Sequence, residues 1–325
     1  LINKINSCFL IFKQRGLITL LQAIYHLCFS KILKIFFSQK TYKRIVNNYK
    51  MFLDSDDRGI SRGLILFGER EIDQKIIIEK SLHPGMCIYD IGANIGYYVI
   101  MENKIINKKG KIIAIEPSKK NIKLLKKNLK LNNISRKNVV IINSAISDFI
   151  GKKKFFIANQ SNLHTFHEFG SAKPFLTGKS INVEVKTVIN LSKKYGKPDF
   201  IRMDVEGHEV EIIRSLLDEI KKGRVKPIIC FEPHISSYNS KHDFKPILES
   251  LFKLDYITKY LSSNSISGTK RIMSLNKNYK SKITVESDGE IRSIFENINN
   301  KDTINILTRI GGARTVLLKP NSAKF

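Results

Sequence analysis

From about residue 60 the chain repeats one pattern: a short apolar run, a turn, and an amphipathic helical stretch. The apolar runs are "MCIYDIG", "KIIAIEP", "NVVIINSAIS", "DFIRMDV" and "KPIICFEP". They are near-continuously apolar, so they read as strands buried on both faces. Between them, "SKKNIKLLKKNLKLN" places Ile122, Leu125 and Leu129 on one helical face, and "GHEVEIIRSLLDEIKKG" reads as another helix. Strands alternating with helices of this length predict an α/β fold, a mostly parallel sheet with helices on both faces. "DYITKYL" and "ARTVLLKP" supply the last two strands, and residues 262–312 between them read as loop with one helix. Residues 151–180 read as irregular or hairpin-like, followed by "INVEVKTV", a strand with one exposed face.

The first fifty residues differ. They carry nine Lys or Arg and no acid before Asp54. "LITLLQAIYHLCFSKILKIFF" puts Leu17, Leu20, Leu21, Ile24, Leu27, Cys28, Ile32 and Ile35 on one helical stripe. Lys31 and Lys34 count against a bilayer span, and the absence of a small-residue cleavage site counts against a cleaved signal peptide. The organisation expected is a basic amphipathic helical extension over residues 1–52 and one α/β domain over 53–325. The extension packs its stripe on the domain or lies on an anionic membrane surface. The net charge of +27 is compatible with nucleic acid, membranes or acidic ligands. Lys and Asn are spread along the whole chain, so a diffuse bias is preferred to a dedicated nucleic-acid surface. Cys8, Cys28, Cys87 and Cys230 show no zinc or redox spacing. They fit a reducing, cytoplasmic setting, with peripheral contact at the inner membrane surface as the variant.

Ligands of parallel sheets bind at the carboxyl ends of the strands, where "DIGANIG" lies. The spacing fails the dinucleotide fingerprint, because Asn94 and Tyr97 stand where it needs glycines. The phosphate-binding loop fails too, since no Gly-Lys-Ser/Thr follows. Asp90, Gly92, Asn94 and Gly96 instead fit the turn that receives S-adenosylmethionine (SAM). An acid here repels a pyrophosphate but suits a ligand bearing an ammonium and a sulfonium. Gly92 and Gly96 permit close backbone approach, and Asn94 tolerates a left-handed conformation. Glu116, at the end of the second strand, can accept hydrogen bonds from both ribose hydroxyls. Asn143 and Ser144, at the end of the third, fall near the adenine.

The fourth strand ends in Asp204, Glu206 and His208. In such a fold this edge faces the transferred group, and a hydroxyl acceptor must lose its proton to a base. His208, with a side chain that titrates near neutrality, is the candidate base, and Asp204 or Glu206 orients it or acts instead. Asp204 is counted with the cofactor site as well. Glu232 and His234 end the fifth strand. No contiguous metal motif is present, so these residues read as lining of the acceptor pocket and no metal is assigned. The Asn/Asp-Pro-Pro-aromatic motif of exocyclic-amine methylases is absent, and Cys230 lacks the preceding proline of cytosine C5 methylases.

At these residues the chain resembles the FkbM-type family of SAM-dependent methyltransferases. "YDIGANIGYY", "IAIEPSKKNIKLLKKNLKLN" and "FIRMDVEGHE" carry the resemblance, with Arg202 where Lys is common. "GISRGLILFGERE" resembles the segment leading into that fold, which implies that Gly68 and Glu71 lie near the methionine end of SAM. The resemblance implies a Rossmann-like class I methyltransferase fold with a seven-stranded sheet, the last strand antiparallel. It also implies O-methylation of a sugar, glycan or small metabolite. RNA methylation through the basic surface, a membrane-docked glycolipid methylase and a non-enzymatic SAM-binding protein are the alternatives.

Overall fold

A computed structural model describes residues 2–323 except Lys241, with side chains from Cys8 onward. Helix α1 (Ile2–Phe37) is interrupted at Gly16, whose backbone is not helical. A hairpin of β1 (Thr41–Val46) and β2 (Tyr49–Asp54) follows, then α2 (Ile60–Phe67) and α3 (Ile72–Ser81). The α/β unit opens with β3 (Cys87–Ile91), α4 (Tyr97–Ile106), β4 (Lys111–Ile115), α5 (Lys119–Leu131) and β5 (Val139–Ile142). A small side sheet holds β6 (Ala145–Ile146), β7 (Gly151–Ala158) and β8 (Leu176–Lys186). Next come α6 (Val188–Tyr195), β9 (Phe200–Met203), α7 (Glu209–Arg214), α8 (Leu217–Lys221) and β10 (Ile228–Phe231). The chain finishes with α9 (Lys245–Lys253), β11 (Tyr256–Ser263), α10 (Ile266–Leu275), β12 (Ile283–Ser287), β13 (Glu290–Ile298), α11 (Asn300–Asn305) and β14 (Ala313–Pro320).

The main sheet has the order β12-β13-β11-β14-β10-β9-β3-β4-β5. β5, β4, β3, β9 and β10 are mutually parallel, and β14 is antiparallel to both of its neighbours, β10 and β11. These seven strands are the expected α/β sheet, last strand antiparallel. The hairpin β12–β13 extends it to nine at the β11 edge. Successive residues of each central strand face opposite sides. Ile88, Ile112, Phe200, Ile228 and Cys230 enter one apolar cluster, and Tyr89, Ile113, Ile201, Ile229 and Phe231 enter the other. Both faces are therefore covered, which explains the unbroken apolar runs.

Two hairpins depart from the sequence reading. Residues 262–312 hold β12, β13 and two helices where loop with a single helix was expected. Within the expected helical extension, β1 and β2 form a hairpin, and β2 runs through residue 52. Asn128 of α5 binds this strand through Phe52 N (2.7 Å) and Phe52 O (3.2 Å).

Candidate active site

The chain order runs outward from β3 to β5 and then returns through β9 to β10. The crevice between the ends of β3 and β9 is thus a topological switch point. A cavity partly open to solvent lies there. Its walls include Glu71, Gly92, Asn94, Glu116, Ser144, Asp204 and His208, all expected site residues.

The turn after β3 is built backwards from β4. Gly92 and Ala93 donate their N–H groups to Ile115 O at 2.9 and 3.0 Å. Gly92 has φ +82°, and a Cβ there would sit 2.3 Å from Asp204 O, so only glycine fits. Asn94 takes φ 47°, the left-handed conformation expected of it. Its N–H donates to Glu116 Oε2 (2.9 Å). The other carboxylate oxygen accepts from Ser118 N (2.9 Å) and Asn121 Nδ2 (3.2 Å). Glu116 thus braces the turn while lining the cavity. Burial pushes its pKa up to about 7, against the opposing pull of these donors.

The opposite end of the cavity is crowded with charge. Glu71, left-handed at φ 52°, caps α3. Its Oε1 accepts from Arg70 and Arg314, each at 3.2 Å, and its Oε2 from the Tyr98 hydroxyl at 2.8 Å. Although burial opposes ionisation, Arg70 and then Arg314 hold its pKa down to about 2. Arg314 also pairs with Glu232. Arg202 reaches Asp204 Oδ2 at 3.4 Å and stacks 4.1 Å from the Tyr98 ring centre. Asp204 itself is pushed upward by burial, opposed by Arg202 and reinforced by Glu206 and Glu71.

Several expected residues stand elsewhere. Asp90 does not line the cavity. It is fully buried and pairs across strands with Arg202, whose Nη1 lies 3.2 Å away and which itself lines the cavity. There it faces α4, and buried Glu102 lies close enough to raise its own pKa further through Asp90. Gly96 has φ +88° and serves packing: a Cβ would lie 2.4 Å from Leu125 Cδ1. Asn143 donates to the carbonyls of Glu116 (3.2 Å) and Pro117 (2.9 Å), outside the cavity. Glu206 points to His234 Nε2 (3.4 Å) and the Ser171 hydroxyl (3.3 Å). Gly68 ends α2 in a left-handed turn rather than lining the cavity.

His208 lines the cavity but is not placed as a free base. Its Nε2 meets Ser147 Oγ at 2.9 Å, and its Nδ1 meets His167 Nε2 at 3.2 Å. Burial, then His167, hold it well below the usual imidazole range. Among the cavity carboxylates near β9, Asp204 is the one with an exposed edge, its side chain 22% accessible.

Sequence reasoning missed Arg70, Tyr98, Asn121, Asp288 and Arg314. Arg70 was signalled by its place beside Glu71. Arg314 and Asp288 come from the far end of the chain and reach Glu71 only through the tertiary fold, Asp288 by accepting from its backbone N–H. No local pattern marks them.

The family model described as "Methyltransferase FkbM domain" matches residues 90–258. No curated protein sequence matches. Among solved structures, a methyltransferase FkbM from Methylobacillus flagellatus is 14% identical with TM-score 0.35, the alignment covering 66% of this chain and 44% of that one. A SAM-dependent O-methyltransferase from Thermotoga maritima is 12% identical with TM-score 0.37, covering 78% of this chain and 66% of that one. A precorrin-6y C5,15-methyltransferase from Geobacter metallireducens is 15% identical with TM-score 0.36, covering 75% and 85%. With the family model matched over just over half of its length, this chain belongs to the FkbM methyltransferase domain family.

Proposed function

We propose that the chain binds SAM in the β3/β9 crevice and methylates a hydroxyl of a sugar, glycan or small metabolite. The observation carrying this reading is the Glu116 carboxylate, held at the end of β4 against the turn of Gly92 to Asn94. It accepts two backbone N–H bonds, and a carboxylate oxygen retains capacity for the ribose hydroxyls. The fit has two further marks. The Gly92 cradle admits no side chain, and Asn94 Oδ1 is buried without a partner, a waiting acceptor.

When bound, SAM supplies an electrophilic methyl on a sulfonium. Arg70, Arg202 and Glu71 form the mixed-charge end suited to an amino-acid zwitterion. Asp204 faces the acceptor. Its raised pKa makes it a stronger base than an ordinary carboxylate, able to take the hydroxyl proton as oxygen bonds to the methyl carbon and the carbon–sulfur bond breaks. The test is titration of SAM into the purified chain, followed by mass spectrometry of sugars and cell extracts incubated with methyl-labelled SAM. One-to-one binding and a labelled ether product support the reading. Absence of binding, or a labelled amine alone, overturns it.

A second reading places the acceptor at an anionic membrane. By length and composition α1 is long and apolar enough to cross a bilayer, but its contacts favour lying flat. Arg15 bonds Glu286 (3.3 Å), His26 bonds Tyr42 (2.7 Å) and Lys34 pairs with Asp56, so one side rests on the domain along most of its length. Beyond the break at Gly16, the eighteen residues from 17 to 34 cover about 27 Å, and a span of that part would drag these polar partners into hydrocarbon. The opposite side exposes Ile18, Leu21, Tyr25, Phe29, Ile32 and Phe36 at helical spacing. Flotation with anionic vesicles should carry the full chain, and Ile18→Glu with Phe29→Glu should abolish this. Equal flotation of the double variant sinks the idea.

A further inference from the structure

Behind the cavity wall lies a cluster that the methyl-transfer reading does not use. It joins the loop between β7 and β8 to α7. His167, His208 and Glu211 each bring one donor atom, and the three atoms lie within 4.8 Å of one another. His208 Nδ1 is 3.2 Å from His167 Nε2 and 3.3 Å from Glu211 Oε2. Tetrahedral zinc, with bonds of about 2.0–2.1 Å to nitrogen, spaces its ligand atoms about 3.3–3.4 Å apart.

The hydrogen bonds around the cluster accommodate a tautomer of His208 that opens it to a cation. The Ser147 hydroxyl donates to Asp148 Oδ1 (3.1 Å), so toward His208 it accepts. In the tautomer with the proton on Nε2, His208 donates to Ser147 at 2.9 Å and Nδ1 turns a lone pair inward. That lone pair faces Glu211 Oε2, which is buried and accepts no hydrogen bond. In that tautomer two acceptors face each other across 3.3 Å. A proton on His167 can satisfy the histidine but leaves Glu211 Oε2 bare. A cation satisfies both.

The surroundings have the form of a supporting shell. His242 Nε2 donates to Gly207 O (2.8 Å), while its Nδ1 meets Glu211 Oε1 at 3.1 Å. That contact orients the carboxylate so that the other oxygen points into the cluster. Phe166 packs on the His208 ring with centroids 4.7 Å apart, closing the apolar side.

We propose that His167, His208 and Glu211 form a site for a borderline divalent transition metal of the zinc class. Two imidazoles and one carboxylate suit such an ion better than magnesium or calcium, which prefer oxygen donors. The site pins the loop that carries Ser161, Asn162, His164 and Phe166 over the cavity. The second histidine–carboxylate group, Asp204, Glu232 and His234, is already engaged by Arg202, Arg314, Glu206 and Glu209.

The test uses the full chain, stripped with a chelator, and needs no methyl transfer. Zn²⁺ is titrated by calorimetry, and Co²⁺ is followed by its visible bands. One equivalent should bind, with the intense Co²⁺ absorption of a four-coordinate site. His167→Ala and Glu211→Gln should each weaken binding at least tenfold, and His234→Ala should not. Circular dichroism of the metal-free variants separates lost binding from lost folding, and Glu211→Gln keeps the side-chain volume. No saturable binding, equal binding by folded His167→Ala, or loss confined to His234→Ala overturns the proposal.

Discussion

At the scale of single residues, the reading turns on carboxylates whose surroundings set their charge. Glu116 has a folded pKa of about 7 against an ordinary 4.5. Its protonated form is favoured in the empty protein, so its contribution to stability is full below 4.5 and is lost as pH rises through about 7. Ribose hydroxyls donating to it favour the opposite, ionised form. SAM should therefore bind about tenfold more weakly at pH 6 than at pH 8, read by calorimetry in both buffers. A flat profile would remove Glu116 from the site. Glu116→Ala should lose two charge-assisted bonds, about 3 kcal/mol or more of affinity. Asp204→Asn should lower kcat by about a hundredfold or more while the SAM dissociation constant moves little, which separates an acceptor base from a cofactor ligand. The glycine at 92 was legible from sequence as a close approach. Its neighbour Asp90 lies buried against Arg202 off the cavity wall, a placement that motif position alone does not reveal.

Secondary-structure elements were legible where burial imposed a pattern. The central strands lie between two apolar layers and announce themselves as unbroken apolar runs. The hairpins β1–β2 and β12–β13 lie partly exposed, and their signal is in the turns. Asn47-Asn48 and Asp288-Gly289 all take positive φ, as a two-residue turn of a twisted hairpin requires. Asp-Gly is a strong mark of such a turn and was overlooked inside a polar stretch. The β3–β9 pair makes its own prediction. Arg202 neutralises Asp90, close to Glu102, and both carboxyls are pushed upward first by burial. Arg202→Met leaves them without a cation and should cost about 3–5 kcal/mol. Because the orphaned acids must then stay protonated, the loss should shrink toward pH 5 and grow toward pH 8. Urea melts at both values check this, and a pH-independent loss would contradict it.

Across the whole molecule, the fold class was readable and the completed pocket was not. Glu71 near the start of the α/β unit is held by Arg314 of the last strand, and its backbone N–H by Asp288 of the added hairpin. Contacts separated by more than 200 positions leave no trace in a local window. They do predict that Arg314→Ala weakens SAM binding about tenfold through loosening of Glu71, while Arg314→Lys restores part of it. The same threading bears on how the protein is made. β14 lies between β10 and β11, both synthesised earlier. Until residues 313–320 leave the ribosome, those two strands hold facing, unpaired edges and Glu71 lacks one of its two arginines. The growing chain must keep an open slot from the completion of β11 at Ser263 until β14 arrives, and premature termination in that interval yields an exposed sheet edge prone to aggregate rather than a weakened enzyme.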